Sequence, residues 1–419
     1  MLVGVEWTRG RPTGIPVEES LEELAELAAT AGAQVVARAI QARPGPEAAT
    51  LIGHGKVEEL AAEVKTGGAG LVVFDRDLSP TQQRNLERAI GAKIIDRTGL
   101  ILDIFASRAH SREGRLQVEL AQLNYLSPRL AGRGVEMSRL GGGIGTRGPG
   151  ETKLETDRRR IARRIKRIED ELEGVRAGRA LHRRRRNAVP LATLALAGYT
   201  NAGKSTLFNR LTQAGVPADA RMFATLDPTV RRLVLPSRRR ALLSDTVGFI
   251  RNLPTTLVNA FRATLEEVTE AALVLHVVDV SSPAAPEYVA HVTAVLAEIG
   301  AAEVPQVLVM NKVDRLPAGA ADAETLRRRL LGGGHQGVRA AAVSALTGTG
   351  IDELLTAIDE ALPLDPVVRA TFRAPAGDAA MLAQLHQFGK VLAIRYAGDQ
   401  CEVEAEVPES LKRRLDRRA

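Results

Sequence analysis

Apolar positions along the chain fall into short runs of strand character alternating with stretches of helical period. From residue 1 to about 110, β-branched runs at Val3–Trp7, Gln34–Ile40, Leu71–Asp75 and Lys93–Asp96 alternate with helical patterns at Glu18–Ala31, Lys56–Lys65, Ser79–Ile90 and Thr98–Ala109. Alternating strand and helix predicts a small parallel or mixed α/β domain. Ser79-Pro80 reads as an N-cap followed by proline at the first helical position. Residues 111–128 keep the helical period, with Leu116, Leu120 and Leu123 roughly on one face. The pattern then breaks into a glycine-rich run, Gly141–Gly150, with arginines around and inside it, expected to be a flexible loop. A long basic helix is expected from about Glu151 to Leu181. Its apolar positions Ile161, Ile165, Ile168, Leu172 and Val175 step by four, three, four and three. Such a narrow seam predicts pairing with 111–128 as a helical hairpin.

Strands and helices alternate again from 190 to about 363, a length suited to one doubly wound domain. After Leu362–Pro366 come strand patterns at Val367–Ala374, Lys390–Tyr396 and Glu402–Val407, with helical patterns at Asp378–Phe388 and Pro408–Arg414. The expected fold class is therefore α/β and multidomain. It divides into an N-terminal α/β domain at 1–110, a helical hairpin with a glycine-rich loop at 111–187, a central domain at 188–363 and a small C-terminal α+β domain at 364–419.

Composition narrows the class. With 419 residues, 45% hydrophobic and 26% charged, the chain has enough apolar material for several cores. Aromatics make up only 3%, so those cores must be built from Ala, Leu, Val and Ile. Cys401 is the single cysteine, which rules out an intrachain disulfide or a multi-cysteine metal site and fits a reducing cytoplasm. Met1–Trp7 lacks the basic and apolar regions of a secretory leader. No run approaches the ~20 apolar residues that span a bilayer. A cytoplasmic, monomeric protein is expected. The net charge is +7, yet residues 158–186 hold thirteen arginines and lysines against four acids. That one segment carries the whole basic excess, which points to a local polyanion-binding element.

Four motifs carry chemistry. Gly198-Tyr199-Thr200-Asn201-Ala202-Gly203-Lys204-Ser205 follows an apolar strand and precedes a helix, the required context of a phosphate-binding P-loop. Its backbone N–H groups and the helix N-terminus would cradle phosphates, with Lys204 on the β- and γ-phosphates and the Ser205 hydroxyl on Mg²⁺. Asp245-Thr246-Val247-Gly248 follows a second strand. There Asp245 could hold Mg²⁺ through water, and the Gly248 N–H could meet the γ-phosphate. Asn311-Lys312-Val313-Asp314 ends a third. Asp314 can accept two hydrogen bonds from guanine that adenine does not offer, so ATP would leave a buried carboxylate unpaired. Ser344-Ala345-Leu346 follows a fourth, where backbone N–H groups could reach guanine O6. Between the first two motifs, Phe223-Ala224-Thr225-Leu226-Asp227-Pro228-Thr229 reads as a loop that closes on the nucleotide. Thr225 is the preferred ligand of Mg²⁺ and γ-phosphate, and Thr229 is its alternative. Lys204, Thr225 and Gly248 are the groups expected to act at the reacting phosphate.

On these residues the chain resembles GTPases of the translation-factor class, and in particular the HflX family of ribosome-associated GTPases. The segments that single out the family are Ile52–Leu60, Gly141–Gly150 running into Glu151–Glu155, and Asp245–Gly248 extended through Phe249-Ile250-Arg251. The resemblance implies a Mg²⁺-dependent GTP hydrolase that binds GTP and GDP. In its GTP form it would bind the large ribosomal subunit and act in splitting stalled ribosomes. Binding would run through ribosomal RNA, using the basic arm and the glycine-rich loop. The alternative is a GTP-sensing ribosome binder or large-subunit assembly factor with incidental turnover. Phe249 stands where Ras-like enzymes place a water-orienting glutamine, so intrinsic hydrolysis is expected to be slow and to need a partner.

Two further features have plainer readings. Gly53-His54-Gly55-Lys56 lacks the full P-loop spacing and is expected to be a structural strand-to-helix turn, a second nucleotide site being the lesser reading. The seven histidines form no metal-binding spacing, and His276, inside an apolar run, is expected to be a core residue.

Overall fold

The computed structural model describes residues 1–9, 16–129, 149–186, 191–213, 222–223, 229–251, 267–317, 322–331, 338–362, 367–375, 378–398 and 400–416. Near the N-terminus, β1 (Leu2–Trp7), β2 (Arg38–Arg43), β3 (Leu71–Phe74) and β4 (Lys93–Asp96) form a wholly parallel sheet in the order β2-β1-β3-β4. Helices α1 (Val17–Thr30), α2 (His54–Gly67) and α3 (Pro80–Ile90) connect the strands, and α4 (Arg97–Arg108) leaves the last one. Successive β1 side chains face opposite sides, as a pleat requires. Val3 packs with Leu60, Leu86 and Ile90 on one side. Leu2 packs with Leu21, Leu24, Leu27 and Phe105 on the other. Both faces are thus covered, the usual state of a parallel sheet. Ser79 caps α3 through a reciprocal pair with Gln82, each side chain accepting from the other's backbone N–H. β2 starts later than the pattern of Val35 and Val36 suggested. Its register on β1, Leu2 opposite Arg38, sets where the ladder begins.

Helices α5 (Arg112–Arg129) and α6 (Pro149–Arg186) pack side by side. Leu116 is buried with Ile168 and Leu172, and Leu120 and Leu123 pack against them, so the four–three seam does meet 111–128. Arg164 spans the pair with a forked bond to Glu119, both distances 2.7 Å. The helix begins at Pro149, so the last two residues of the expected glycine loop belong to it. The remainder of that loop lies outside the described residues.

The central sheet contains β5 (Ala192–Gly198), β6 (Thr229–Val234), β7 (Arg240–Asp245), β8 (Leu273–Asp279), β9 (Gln306–Asn311) and β10 (Arg339–Ala342), in the order β10-β9-β8-β5-β7-β6. β6 is antiparallel to β7, and the other neighbours are parallel. Helices α7 (Lys204–Thr212), α8 (Ala285–Glu298), α9 (Ala323–Leu331) and α10 (Ile351–Ala361) accompany it. β6 is a strand the sequence reading did not anticipate. Its sequence, Thr-Val-Arg-Arg-Leu-Val, is largely exposed, as an edge strand can be. The C-terminal residues form an antiparallel sheet, β11 (Val367–Pro375), β12 (Lys390–Ala397) and β13 (Gln400–Pro408), in the order β11-β13-β12. Helices α11 (Ala379–Phe388) and α12 (Glu409–Asp416) bury its Val403, Ala405 and Val407 with Leu385 and Leu411. Among the described residues no helix is long and apolar enough to cross a membrane.

Candidate nucleotide-binding site

The strands β5, β7 and β9 and the turn after β10 bring the four motifs to one edge, outside the carboxyl ends of a parallel sheet, where ligands of doubly wound folds bind. Gly203 sits at φ 92° at the start of α7. A Cβ there would lie 2.3 Å from Asn311 Nδ2, so only glycine lets the loop approach β9. Lys204 is buried, and its Nζ donates to the carbonyls of Gly198 (3.0 Å) and Tyr199 (2.8 Å). Burial pushes its pKa down to about 8, against the pull of Asp245.

Ser205 Oγ donates to Asp245 Oδ2 at 2.8 Å, joining the first motif to the second. The buried Thr246 Oγ1 donates to the Leu196 carbonyl. Beyond it the chain doubles back on the P-loop. The Phe249 N–H donates to Gly198 O (3.0 Å), and the Thr200 N–H donates to Phe249 O (2.7 Å). Gly248 is pressed into this contact: a Cβ on it would lie 2.9 Å from Lys204 Nζ and 3.0 Å from Thr200.

Asn311 links three motifs. Its Nδ2 donates to Ala202 O at 2.8 Å, and its Oδ1 accepts the Ala345 N–H at 3.0 Å. Lys312, at φ 68°, pairs with Asp279 at 2.6 Å. Val313 and the exposed Asp314 lie on the short 3₁₀ turn that follows. Ser344 is buried, and its Oγ accepts the Thr347 N–H, which shapes the turn, while Leu346 is 71% exposed. Arg210 on α7, a residue absent from the motifs, donates to the carbonyls of Ala345 and Leu346 and ties that turn to the P-loop helix.

The segment expected to close on the nucleotide is only partly visible. Ala224, Thr225, Leu226 and Asp227 lie outside the described residues. Thr229 begins β6 opposite Asp245. The Phe223 ring is buried against Phe105 of the N-terminal domain, edge to face at 4.5 Å, so its side chain packs in a domain contact. Tyr199 and Val247 also turn their side chains into that shared core.

The contact was missed by sequence reasoning. Helix α1 lies against the P-loop, α8 and Met222: Tyr288 Oη donates to Glu19, Tyr199 Oη donates to Glu23, Asn201 Nδ2 donates to Glu26, and the Met222 N–H donates to Thr30 Oγ1. The spacing 19, 23, 26, 30 is visible in the sequence, but three glutamates on one helix face read as a solvated surface.

A doubly wound sheet with these four motifs at its carboxyl edge defines a P-loop GTPase. Three families match along the chain: "GTP-binding GTPase N-terminal" over residues 18–106, "GTP-binding GTPase Middle Region" over 108–186 and "50S ribosome-binding GTPase" over 193–312. The GTPase HflX of Caldanaerobacter subterraneus subsp. tengcongensis is 49% identical over 95% of this chain and 90% of its own length. That of Alkalihalophilus pseudofirmus is 55% identical over 71% of this chain and 70% of its own. The Escherichia coli K12 GTPase HflX is 45% identical over 88% and 85%. The chain belongs to the HflX family and is a GTP hydrolase.

Proposed function

We propose that this GTPase binds the large ribosomal subunit in its GTP form and acts in splitting stalled ribosomes, with hydrolysis resetting it in the cytoplasm. The observation that supports the reading best is the braced basic hairpin. α6 buries Ile168 and Leu172 against α5 and leaves Arg158, Arg159, Arg160, Arg163, Lys166 and Arg167 exposed. A stiff arm with a strong basic excess suits a polyphosphate surface such as ribosomal RNA. The description "50S ribosome-binding GTPase" carried by the family that matches 193–312 points to the same partner.

In this reading 1–110, 111–187, 188–363 and 364–419 are the working domains. The P-loop Gly198–Ser205 cradles the phosphates, and Lys204 neutralises charge at the β- and γ-positions. Gly248 offers its N–H to the γ-phosphate, Asp314 reads guanine, and Ser344–Leu346 closes on the base. The donor set fits Mg²⁺: a hydroxyl and a carboxylate stand 2.8 Å apart at Ser205 and Asp245, hard oxygens of the kind the ion prefers. Ser205, with Thr225 and with Asp245 through water, would hold the ion, which neutralises charge on the phosphates when bound. Phe249 cannot orient water, so slow basal turnover that rises on the ribosome is expected. The alternative is a GTP-sensing ribosome binder, which Phe249 favours, or a large-subunit assembly factor, with incidental turnover.

The test is co-sedimentation with ribosomal subunits across a salt series, with GTP turnover assayed in parallel. Changing Arg183 through Arg186 to Gln should weaken binding and flatten its salt dependence, since each lost phosphate contact removes a released counterion. Basal turnover should stay at the wild-type level. Wild-type binding by that variant and by a 133–186 deletion would overturn the assignment of the arm. Selective pelleting with precursor subunits would favour the assembly reading.

A further inference from the structure

The docking of α1 on the nucleotide loops has no part in the roles assigned above. Glu19, Glu23, Glu26 and Thr30 occupy one helix face, and Glu23 is the crossing point of its contacts. The Glu23 side chain is 6% exposed. It accepts the Tyr199 hydroxyl at 2.6 Å and Arg251 Nη2 at 3.3 Å, and it pairs with Arg97 at 2.6 Å. The Tyr199 ring is stacked on Tyr288 at 4.1 Å, and its hydroxyl accepts the Arg251 N–H at 3.1 Å. Burial, then the Glu23 carboxylate, hold that hydroxyl protonated far above the usual phenol range.

Tyr199 belongs to the P-loop, and Arg251 lies just beyond Asp245–Gly248. Phe249, between Gly248 and Arg251, makes the two backbone bonds that join these segments. Glu23 therefore grips both sides of that backbone bridge. In the bridged form Gly248 lies against Lys204, with the virtual Cβ 2.9 Å from Nζ. A γ-phosphate must enter between the Lys204 ammonium and the Gly248 N–H, whereas a diphosphate need not. A close approach of Gly248 to Lys204 would bear on the third phosphate and spare a diphosphate.

We infer that Glu23 is a positioning residue that sets the relative affinity for GDP and GTP. By holding Tyr199 and Arg251 from the N-terminal domain, it stabilises the bridged form. Linkage is reciprocal, so GTP in turn loosens the docking of α1. The inference rests on the site assignments proposed above.

The experiment measures dissociation constants for GDP and for a nonhydrolysable GTP analogue by fluorescence titration of the full chain. It compares wild type, Tyr199→Phe, Glu23→Gln and the double variant. Tyr199→Phe removes one hydroxyl and keeps the ring on Tyr288. Glu23→Gln leaves Arg97 its second carboxylate, Asp75 at 2.8 Å, so the buried guanidinium stays paired. Each single variant should raise affinity for the GTP analogue relative to GDP by about three- to tenfold, the size of one net hydrogen bond. In Glu23→Gln the GDP constant should stay within about twofold, and the double variant should shift the ratio no further than the larger single change. An unchanged ratio in both singles, or a parallel loss of both affinities as from general damage, would overturn the inference. Failure of the wild type to bind either nucleotide would overturn the site assignments and this inference with them.

Discussion

At the carboxyl ends of β3 and β4 the carboxylates take side chains from several elements, whereas at the carboxyl ends of β5 and β7 a buried lysine is held by the backbone of its own loop. Asp96 accepts the Gly99 N–H and the Tyr125 hydroxyl on one oxygen, and the Leu78 N–H and Arg129 on the other. Asp75 takes Ser20 and Arg97, and Asp77 takes Thr98. Even the cation of the Gly53–Lys56 turn is paired, with Glu59 at 2.6 Å, and the Gly53 N–H goes to Gln41. In the central sheet the buried Lys204 has, among the described residues, only its own loop's carbonyls as hydrogen-bond partners, and glycines keep side chains out at 203 and 248. Topology alone nominates both edges as ligand sites. The phosphate-binding motif, which stands at the central edge, decides between them.

The comparison predicts opposite consequences for charge removal at the two edges. Lys204→Ala should leave the fold intact and remove about 3–5 kcal/mol of nucleotide binding, the worth of two charge-assisted bonds to phosphate. Isothermal titration with a nonhydrolysable GTP analogue reads the loss, and wild-type affinity would refute the site. Asp96→Ala should do the reverse. It strips a buried partner from Arg129 and a cap from α4, at a cost of about 3–4 kcal/mol in unfolding free energy. Urea melts measure that cost, and GDP affinity of the folded protein should be unchanged. A variant that melted like wild type would show that the N-terminal network is not a structural staple.

A third prediction concerns a buried group in the central sheet that lacks a partner on one nitrogen. His276 on β8 is buried, its Nε2 has no hydrogen-bond partner among the described residues, and burial pushes its pKa down to about 4. The unfolded chain takes up a proton near pH 6.5, and the folded protein does not until about pH 4. Between those values the unfolded state binds more protons, so stability falls as pH falls. The loss should be about 2 kcal/mol by pH 5 and about 3 kcal/mol at pH 4. Urea midpoints at pH 7 and pH 5 check the slope. His276→Leu should remove this part of it, and an equal slope in that variant would assign the acid sensitivity elsewhere.

Much of this could be read in the sequence wherever one element decides its own fate. Ser79 and Gln82 cap α3 by local hydrogen bonds. The step of Ile161 through Val175 finds its partner helix because a narrow apolar seam has few other uses. The P-loop and its companions follow strand ends, so their convergence comes with the parallel sheet. Long-range choices were hidden. The Arg-rich β6 is a strand only because β7 offers an edge. Glu23 and Arg251 look like surface charges until two domains bury them together.

Arg210 gives the smallest test, and it asks whether a residue outside the motifs shapes the turn Ser344–Leu346. The turn Ser344–Leu346 is held from one side by Asn311, which accepts the Ala345 N–H and donates to Ala202 O. From the other side Arg210 donates to the carbonyls of Ala345 and Leu346. With both carbonyls drawn toward α7, the turn is held in place beside the end of β9. Arg210 is exposed, so water will replace much of what its removal takes away. Arg210→Ala should therefore cost only about 1 kcal/mol of guanine-nucleotide affinity. The loss should appear as a raised KM with kcat unchanged at saturating GTP, because no reacting atom is touched. Arg210→Lys separates charge from shape. A lysine keeps the charge but lacks the planar fork that reaches two carbonyls at once, so it should behave like alanine. Wild-type KM in the lysine variant would mean that positive charge near the turn is what matters, and wild-type KM in both would leave Asn311 as the sole brace.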